Sequence, residues 1–490
     1  MADSRQVIVV GGGNAALCAA ISAAEHGARV IVLERAPHDL RGGNTRFTAG
    51  AMRVVYESQA DLLRLMPDLT PAELARTDFG RYSSANFYDD LGRVTHYRTD
   101  PALAEILIEQ SYETLCWMQQ KGVRFLPLYG RQSFEVDGKV RFWGGLTVET
   151  WGGGPGLVDS LTDIATQHGV IIRYGVRARE LLFEHNRVTG VRVSDSAGED
   201  RCHADAVVLA CGGFESSATW RARYLGPSWD LARVRGTRFN TGDGIEMAMQ
   251  IGAAARGHWS GCHAVAWDLN APEYGDLEIG DSFQKHSYPL GILVNNLGER
   301  FLDEGADFRN FTYAKYGAQI LQQPQQTAWQ IFDATVTPLL RDEYRIREVT
   351  RVRGDSLEEL ASKMEGVDAP ALLATIRAYN DSITDEIKFD PAVKDGRRTI
   401  GLSVPKSNWA NRLDTPPFEA YGVTCGITFT FGGLHVDDAA RVISQEGDPI
   451  PGLFAAGELV GGLFYFNYPG GTGLTAGAVF GRLAGSGATQ

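Results

Sequence analysis

Cysteine is scarce in this chain: six in 490 residues, at positions 18, 116, 202, 211, 262 and 425, with no C-x-x-C and no C-x-x-C-H. Such spacing excludes haem attachment and the common intrinsic iron–sulfur clusters, gives no metal-site pattern, and fits a reducing compartment. Long apolar runs are also missing, so no membrane-spanning helix is expected. Nor does the start read as a signal peptide, because a buried strand begins directly after Met1-Ala-Asp-Ser-Arg-Gln6. Basic residues are in deficit: Lys+Arg 47 against Asp+Glu 60 leaves −13, which argues against a nucleic-acid partner. Any anionic ligand must therefore be met by locally concentrated cations. Repeats and low-complexity tracts are absent. What remains is 44% hydrophobic and 22% charged, an ordinary globular balance with enough chain for two to four domains at about 100–200 residues each. A cytoplasmic location is expected, or a peripheral one at a membrane through a partner.

Glycine is the abundant residue, 57 in all, and it is clustered. Val7-Ile-Val-Val10 runs into Gly11-Gly-Gly13, then into an Ala-rich stretch predicted to be helical from Asn14 to His26, then into a second strand, Arg29–Leu33. This is a βαβ unit with a right-handed crossover. Within it, Gly11 permits the turn, Gly13 lets the backbone approach a pyrophosphate, and Ala16 allows close helix–strand packing. The helix N-terminus offers free N–H groups to phosphates. Glu34, 23 residues beyond Gly11, suits ribose hydroxyls and disfavours a 2′-phosphate. Two further strand-to-turn segments, Val207–Gly213 and Gly452–Glu458, favour FAD over NAD. Gly470-Gly-Thr-Gly-Leu-Thr-Ala-Gly477 opens a helix whose N–H groups suit the flavin pyrimidine ring. Between about 259 and 425 the composition turns aromatic and loop-rich, with a helix predicted over Pro370–Ile383. The expected architecture is α/β: a Rossmann-like FAD-binding domain of the glutathione-reductase type (1–258 and 426–490) interrupted by an α+β capping domain (259–425).

The fragments Gly42-Gly-Asn-Thr-Arg-Phe-Thr-Ala-Gly50, Asn240-Thr-Gly-Asp-Gly244, Gly298-Glu-Arg-Phe301 and Pro451-Gly-Leu-Phe-Ala-Ala-Gly-Glu458 resemble the fumarate reductase/succinate dehydrogenase flavoprotein superfamily, from residue 7 to 485. The resemblance assigns FAD contact to Gly11, Gly13, Asn14, Ala15, Glu34 and Arg35. It extends to Gly43, Asn44, Thr45, Ala49, Gly50 and Val176, to Cys211, Gly212, Gly213, Asn240 and Asp243, and to Glu458, Gly473, Leu474 and Thr475. Covalent members carry a histidine near the glycine loop; here the position holds Asn44, so noncovalent FAD is expected.

The same resemblance implies that His263 holds a substrate carboxylate and that Arg309, after Gly298-Glu-Arg-Phe-Leu-Asp-Glu304, transfers the proton. Two departures matter. Phe429 stands where fumarate reductases carry a histidine, and Asn467-Tyr-Pro-Gly-Gly471 replaces the segment with their carboxylate-clamping arginine. Tyr468 before Pro-Gly occurs in 3-ketosteroid Δ1-dehydrogenases, where it polarises a carbonyl. Lys285-His-Ser-Tyr-Pro-Leu-Gly291, the 305–315 segment and Phe464–Gly471 look most like the FAD-dependent tricarballylate dehydrogenases, which implies oxidation of a tricarboxylate to its alkene. His263, Lys285, His286 and Arg309 are expected to supply a positive lining around a small anionic polycarboxylate.

Arginine has an ordinary pKa of about 12.5–13.8, so neutralising it near pH 7 costs about 8 kcal/mol. Arg309 works more readily as an acid; as a base it needs a carboxylate relay, for which Asp303, Glu304 and Asp307 are nearest in sequence. Tyr468 and Tyr313 are the alternative proton acceptors. With no second dinucleotide fingerprint and no cluster ligands, the electrons are expected to leave through a separate protein feeding quinones. A fumarate/succinate-type reductase, a ketosteroid-type dehydrogenase and a flavoprotein electron-transfer subunit are the competing functions.

Overall fold

The structure, a computed structural model, describes residues 4–384 and 386–490. β1 (Gln6–Val10) buries Val7, Ile8, Val9 and Val10, the uninterrupted apolar run of a strand covered on both faces. Gly11-Gly-Gly13 turns it into α1 (Asn14–Glu25), which leads to β2 (Arg29–Glu34). β1 and β2 pair in parallel, with Val7 opposite Val30. After a long excursion that includes the helix Pro101–Lys121, β3 (Ile171–Tyr174) pairs with β2. β4 (Ala206–Leu209) then joins the other side of β1.

The inserted part is organised on a second sheet. Its elements are β5 (Ala255–Asp268), β6 (Ile292–Asn295), α2 (Tyr313–Leu321), β7 (Ala328–Phe332) and β8 (Phe418–Leu434). β8 is the spine. It pairs antiparallel with β5 from Ala255 opposite Leu434 to Asp268 opposite Val423, and with β7 over its first residues. The boundaries read from composition, 258/259 and 425/426, thus fall inside two strands that pair with each other. A composition shift marks a change of surroundings, and here one continuous ladder passes through that change. The helix expected at 370–383 runs Ala369–Asp381, begun by Asp368, whose carboxylate accepts from the Ala371 N–H at 3.0 Å.

The chain returns through β9 (Arg441–Ile443), β10 (Pro449–Ala455) and α3 (Thr472–Gly487). The first sheet is ordered β9-β10-β4-β1-β2-β3, parallel throughout except for β9–β10. This confirms the FAD-binding α/β fold with an interposed cap. α1 and α3 pack at close range. A Cβ on Gly481 would stand 2.4 Å from the Ala15 carbonyl oxygen, and one on Gly485 2.2 Å from that of Ala19. Asn14 adds a cross-link, its Nδ2 donating to the Leu474 carbonyl at 2.7 Å. Two helix N-termini, from opposite ends of the chain, are thereby fixed side by side.

Candidate active site

One large cavity runs between the first sheet and the cap. At its base Gly11 has φ +113°, and a Cβ there would meet the Ala210 carbonyl oxygen at 2.3 Å; only glycine fits. Neither α1 nor α3 has a side-chain cap from its own N-cap residue or an acidic residue in its first turn. The Asn14 N–H is taken by Thr45 Oγ1 at 3.1 Å and the Thr472 N–H by the Pro469 carbonyl at 3.2 Å, so it is the N–H groups next along each first turn that face an anion. Gly13, Gly43 and Gly473 line the cavity, and a Cβ on Gly43 would project into open space. Glu34 lines the same wall, its Oε1 accepting from the Ala36 N–H at 2.7 Å, and burial pushes its carboxyl up to about 7. A buried carboxylate beside free amides and bare glycines is the donor and acceptor set that a ribose–pyrophosphate requires, so the residues fit FAD.

Most residues assigned to the cofactor reach this wall: Asn14, Ala15, Arg35, Asn44, Thr45, Ala49, Val176, Cys211, Gly212, Asn240, Asp243, Glu458 and Leu474 all line it. Gly50, Gly213 and Thr475 do not. Gly50 packs against Thr150 and Gly153, Gly213 against Glu458, and the Thr475 hydroxyl donates to the Arg53 carbonyl at 2.8 Å. Arg177 was missed; it lines the cavity and donates to Asp243 at 2.6 Å, holding that carboxyl below its usual range against the effect of burial.

Asn44 is fully engaged. Its Nδ2 donates to Glu215 Oε1 at 2.7 Å and to the Thr428 carbonyl at 2.6 Å, and its Oδ1 accepts from the Thr237 N–H at 2.9 Å. It pins the glycine loop to β8 and offers no nucleophile. Beside it, Glu215 and Glu458 form a buried carboxyl pair. Glu215 Oε1 also accepts from Asn240 Nδ2 at 2.7 Å, while Glu458 Oε1 accepts from the Thr430 N–H at 2.9 Å. Burial and the charge of Glu215 lift Glu458 well above the carboxylate range. Burial lifts Glu215 as well, opposed by the two amides that donate to it, so Glu458 is the member of the pair that holds its proton more firmly.

At the cap end, all four residues singled out for catalysis come together: His263 from β5, His286, Arg309 and Tyr468 line the cavity, with Tyr313 from α2. Arg309 Nη1 lies 3.3 Å from His286 Nδ1, and its Nη2 donates to Gln132 Oε1 at 3.1 Å and to the Arg131 carbonyl. Its Nε has no partner. Burial lowers Arg309 from its ordinary value and drives both histidines well below theirs. The histidines are neutral, and since His286 Nδ1 accepts from Arg309, its proton sits on Nε2. The Tyr313 and Tyr468 hydroxyls hydrogen-bond to each other; burial raises both phenols, and Tyr468 raises Tyr313 further. Phe429 and Tyr468, the two departures from the fumarate reductase pattern, face this cavity in T-shaped contact with ring centroids 5.2 Å apart.

Three expectations are corrected. Lys285 is not part of the lining: it is 0% exposed, its Nζ stands 3.4 Å from Asp268 Oδ2 and donates to the carbonyls of Ser282, Phe283 and Gln284. The histidines do not supply positive charge. Nor do Asp303, Glu304 or Asp307 contact Arg309: Asp303 accepts from Ser407, Glu304 pairs with Arg300, and Asp307 pairs with Arg93 at 2.6 Å. Glu343, itself buried, is the acid whose charge favours the protonated form of Arg309. The cations come instead from Arg131 and Arg235, which sequence reading missed. Both line the cavity and grip Asp281, Arg131 at 2.8 Å and Arg235 Nε at 2.7 Å, with Gln284 adding a third bond at 2.7 Å.

Fold and cradle together define a flavoprotein oxidoreductase. The family described as FAD binding domain matches residues 6–474, and the chain belongs to it. It is 30% identical to a probable fumarate reductase of Shewanella frigidimarina, over 100% of this chain and 75% of that one. It is 28% identical to a 4-oxocyclohexanecarboxylate 2-dehydrogenase of Sinomonas cyclohexanicum, over 97% and 90% of the two chains. It is 25% identical to a 3-oxosteroid 1-dehydrogenase of Mycobacterium tuberculosis, over 98% and 97%. The structure of the open conformation of a flavocytochrome c3 fumarate reductase superposes with a TM-score of 0.73 at 28% identity, covering 100% of this chain and 78% of that one. The chain is thus a FAD-dependent dehydrogenase or reductase acting on CH–CH donors, of the fumarate reductase and steroid dehydrogenase type. Among the described residues no helix is long and apolar enough to cross a membrane.

Proposed function

We propose that this enzyme interconverts a small polycarboxylate and its alkene, in the manner of tricarballylate and aconitate, in the cytoplasm, and passes electrons to a separate protein feeding quinones. One observation carries the reading. In a chain of net charge −13, Arg131, Arg235 and Arg309 converge on the cap end of the cavity, where Asp281 is the carboxylate they meet, while Glu34, Asp243 and Glu458 line its cofactor wall. Arg309 Nε and both ring nitrogens of His263 lack partners. Unpaired buried donors cost about 1–3 kcal/mol each unless a ligand engages them. A carboxylate engages Arg309 Nε and the one N–H of neutral His263.

Bound FAD supplies a two-electron acceptor or donor at the reacting C–C bond. The chain's own residues do the rest. Arg309, its pKa lowered by burial, is the better proton donor of the candidates, and its loss of a proton costs less than in water. Tyr313 and Tyr468, both raised, remain phenols and act as hydrogen-bond donors. His286 fixes the Arg309 guanidinium, and neutral His263 donates one N–H to a carboxylate. Leu463, Phe464 and Phe429 give the cavity an apolar wall.

The paired tyrosine hydroxyls favour a second reading, a dehydrogenase acting beside a ring ketone, because two phenols at one point suit a carbonyl oxygen. Anaerobic mixing of the oxidised holoenzyme with tricarballylate, succinate or a 3-ketosteroid, followed by flavin absorbance, separates the two. Bleaching by tricarballylate is the expected result; bleaching by the ketosteroid alone overturns it in favour of the ketone.

A further inference from the structure

Behind the wall formed by His286 and Arg309 lies a second, smaller cavity of about 30 Å³. Both residues line it as well as the main one. Its remaining walls are Trp143 and Phe134 from the FAD-binding part and Ser287, Pro289, Leu290, Phe308, Arg341, Pro391 and Trp409 from the cap. That volume admits a carboxylate group or a pair of waters and nothing larger.

Ser287 Oγ accepts from the Arg341 N–H at 3.3 Å and Trp409 Nε1 donates to the Asp390 and Val393 carbonyls at 3.1 and 2.8 Å; the other polar atoms here share one property. Trp143 Nε1, His286 Nε2 and Arg341 Nη2 are buried without a partner, as is Arg309 Nε in the wall. All four are N–H donors: indole and guanidinium have no acceptor, and His286 carries its proton on Nε2 because Nδ1 accepts from Arg309. No carboxylate lines the compartment. Arg341 is anchored from the other side, its Nη1 donating to the Gly130 and Ser133 carbonyls at 2.9 and 3.1 Å and its guanidinium lying 4.2 Å from the centre of the Phe134 ring. Burial and the charge of Arg309 push Arg341 down to about 9. A cation crowded in this way gains from an anion brought next to it.

The geometry points to a second anion subsite, in which Trp143, His286 and Arg341 receive the carboxylate branch that a tricarboxylate carries beyond the two flanking its reacting C–C bond. This rests on the polycarboxylate reading above and sharpens it. Tricarballylate is succinate with one added carboxymethyl arm, and the compartment has room for the carboxylate at the end of such an arm, sharing His286 and Arg309 with the main cavity. A steroid skeleton finds neither the volume nor a use for four converging donors. The subsite also gives the missing carboxylate clamp of the fumarate reductases a counterpart, built from different residues at a different place.

The test is a substitution that removes one donor and keeps the ring. Trp143 stacks on Phe308 with centroids 5.3 Å apart, and Trp143→Phe preserves that contact while deleting the N–H. Binding of tricarballylate and succinate to holoenzyme is read from the flavin spectral shift, with FAD content and melting temperature recorded alongside. Loss of one hydrogen bond to a charged group is expected to weaken tricarballylate about ten-fold, while succinate changes less than about two-fold. Arg341→Gln, the second variant, is expected to show the same selective loss. Equal weakening of both acids, or none, overturns the subsite while leaving the polycarboxylate reading intact. If neither acid perturbs the flavin of the unaltered enzyme, the polycarboxylate reading itself fails, and the subsite with it.

Discussion

Under the proposed function Arg309 is the proton donor, and its substitution is the first test. Burial lowers its pKa, and its partners His286, Gln132 and the Arg131 carbonyl hold the guanidinium in one orientation. Arg309→Lys replaces a planar fork by a point charge and loses that orientation. The expected outcome is full FAD content with turnover down by at least about 100-fold, the usual scale for a positioned acid; steady-state rates beside the bound-flavin spectrum check it. Retained turnover assigns the proton to Tyr313–Tyr468. Glu458 makes a different demand. As the protonated member of its pair it donates to Glu215 and accepts from Thr430, and glutamine reproduces both bonds. Glu458→Gln is expected to keep FAD affinity within about two-fold, whereas Glu458→Ala leaves the Thr430 N–H and Glu215 without this partner and is expected to weaken FAD by about ten-fold or more, the scale of a lost buried hydrogen bond. Equilibrium titration of the apoprotein with FAD measures both.

At the scale of elements, the cofactor cradle depends on α1 and α3 touching through backbone. Gly477, Gly481 and Gly485 face Asn14, Ala15, Cys18 and Ala19, and a methyl on Gly481 has nowhere to go. Gly481→Ala is expected to destabilise the protein by about 1–3 kcal/mol, the cost of overpacking, and to weaken FAD binding because both helix N-termini shift. Thermal melting with and without FAD tests this; an unchanged melting temperature contradicts the close packing. Much of this was legible in the sequence, since glycine where a backbone must approach another backbone recurs at fixed spacing, and the βαβ unit and the turns at Gly212 and Gly457 followed from it. The cation cluster was not legible. Arg131, Arg235, Asp281 and Arg341 lie in four separate segments with no motif, and only the docking of the cap on the first sheet gathers them. Lys285 misled for the opposite reason. It adjoins His286 in a non-helical segment, and the two side chains leave the backbone on opposite sides, one to Asp268 and one to the cavity.

For the molecule as a whole, the same cradle couples stability to pH and to the cofactor. Glu34 titrates at about 7 in the folded protein because burial disfavours its charge, against an ordinary glutamate value of about 4.3 in an unfolded chain. Between those values the native state binds more protons than the unfolded one, so stability falls as pH rises through the window. The integrated loss from this one group is at most about 3.7 kcal/mol, at 1.36 kcal/mol per unit. Glu149, also raised to about 7 by burial, acts with the same sign. Bound FAD is expected to oppose the trend at Glu34, since ribose hydroxyls donating to the carboxylate would favour its charged form. Apoprotein is therefore expected to lose melting temperature from pH 5 to pH 7.5 while the holoenzyme loses less, and Glu34→Gln is expected to shrink the gap between the two profiles. Calorimetry of apo and FAD-loaded protein, each at several pH values, reads the difference. Parallel profiles for the two forms place the ribose away from Glu34, whereas an apoprotein that grows more stable with pH contradicts the burial of that carboxyl. With Asn44, spent on Glu215, Thr428 and Thr237, at the position where covalent relatives carry a histidine, acid precipitation of the protein is expected to release all of the flavin to the supernatant; flavin retained in the pellet contradicts noncovalent binding.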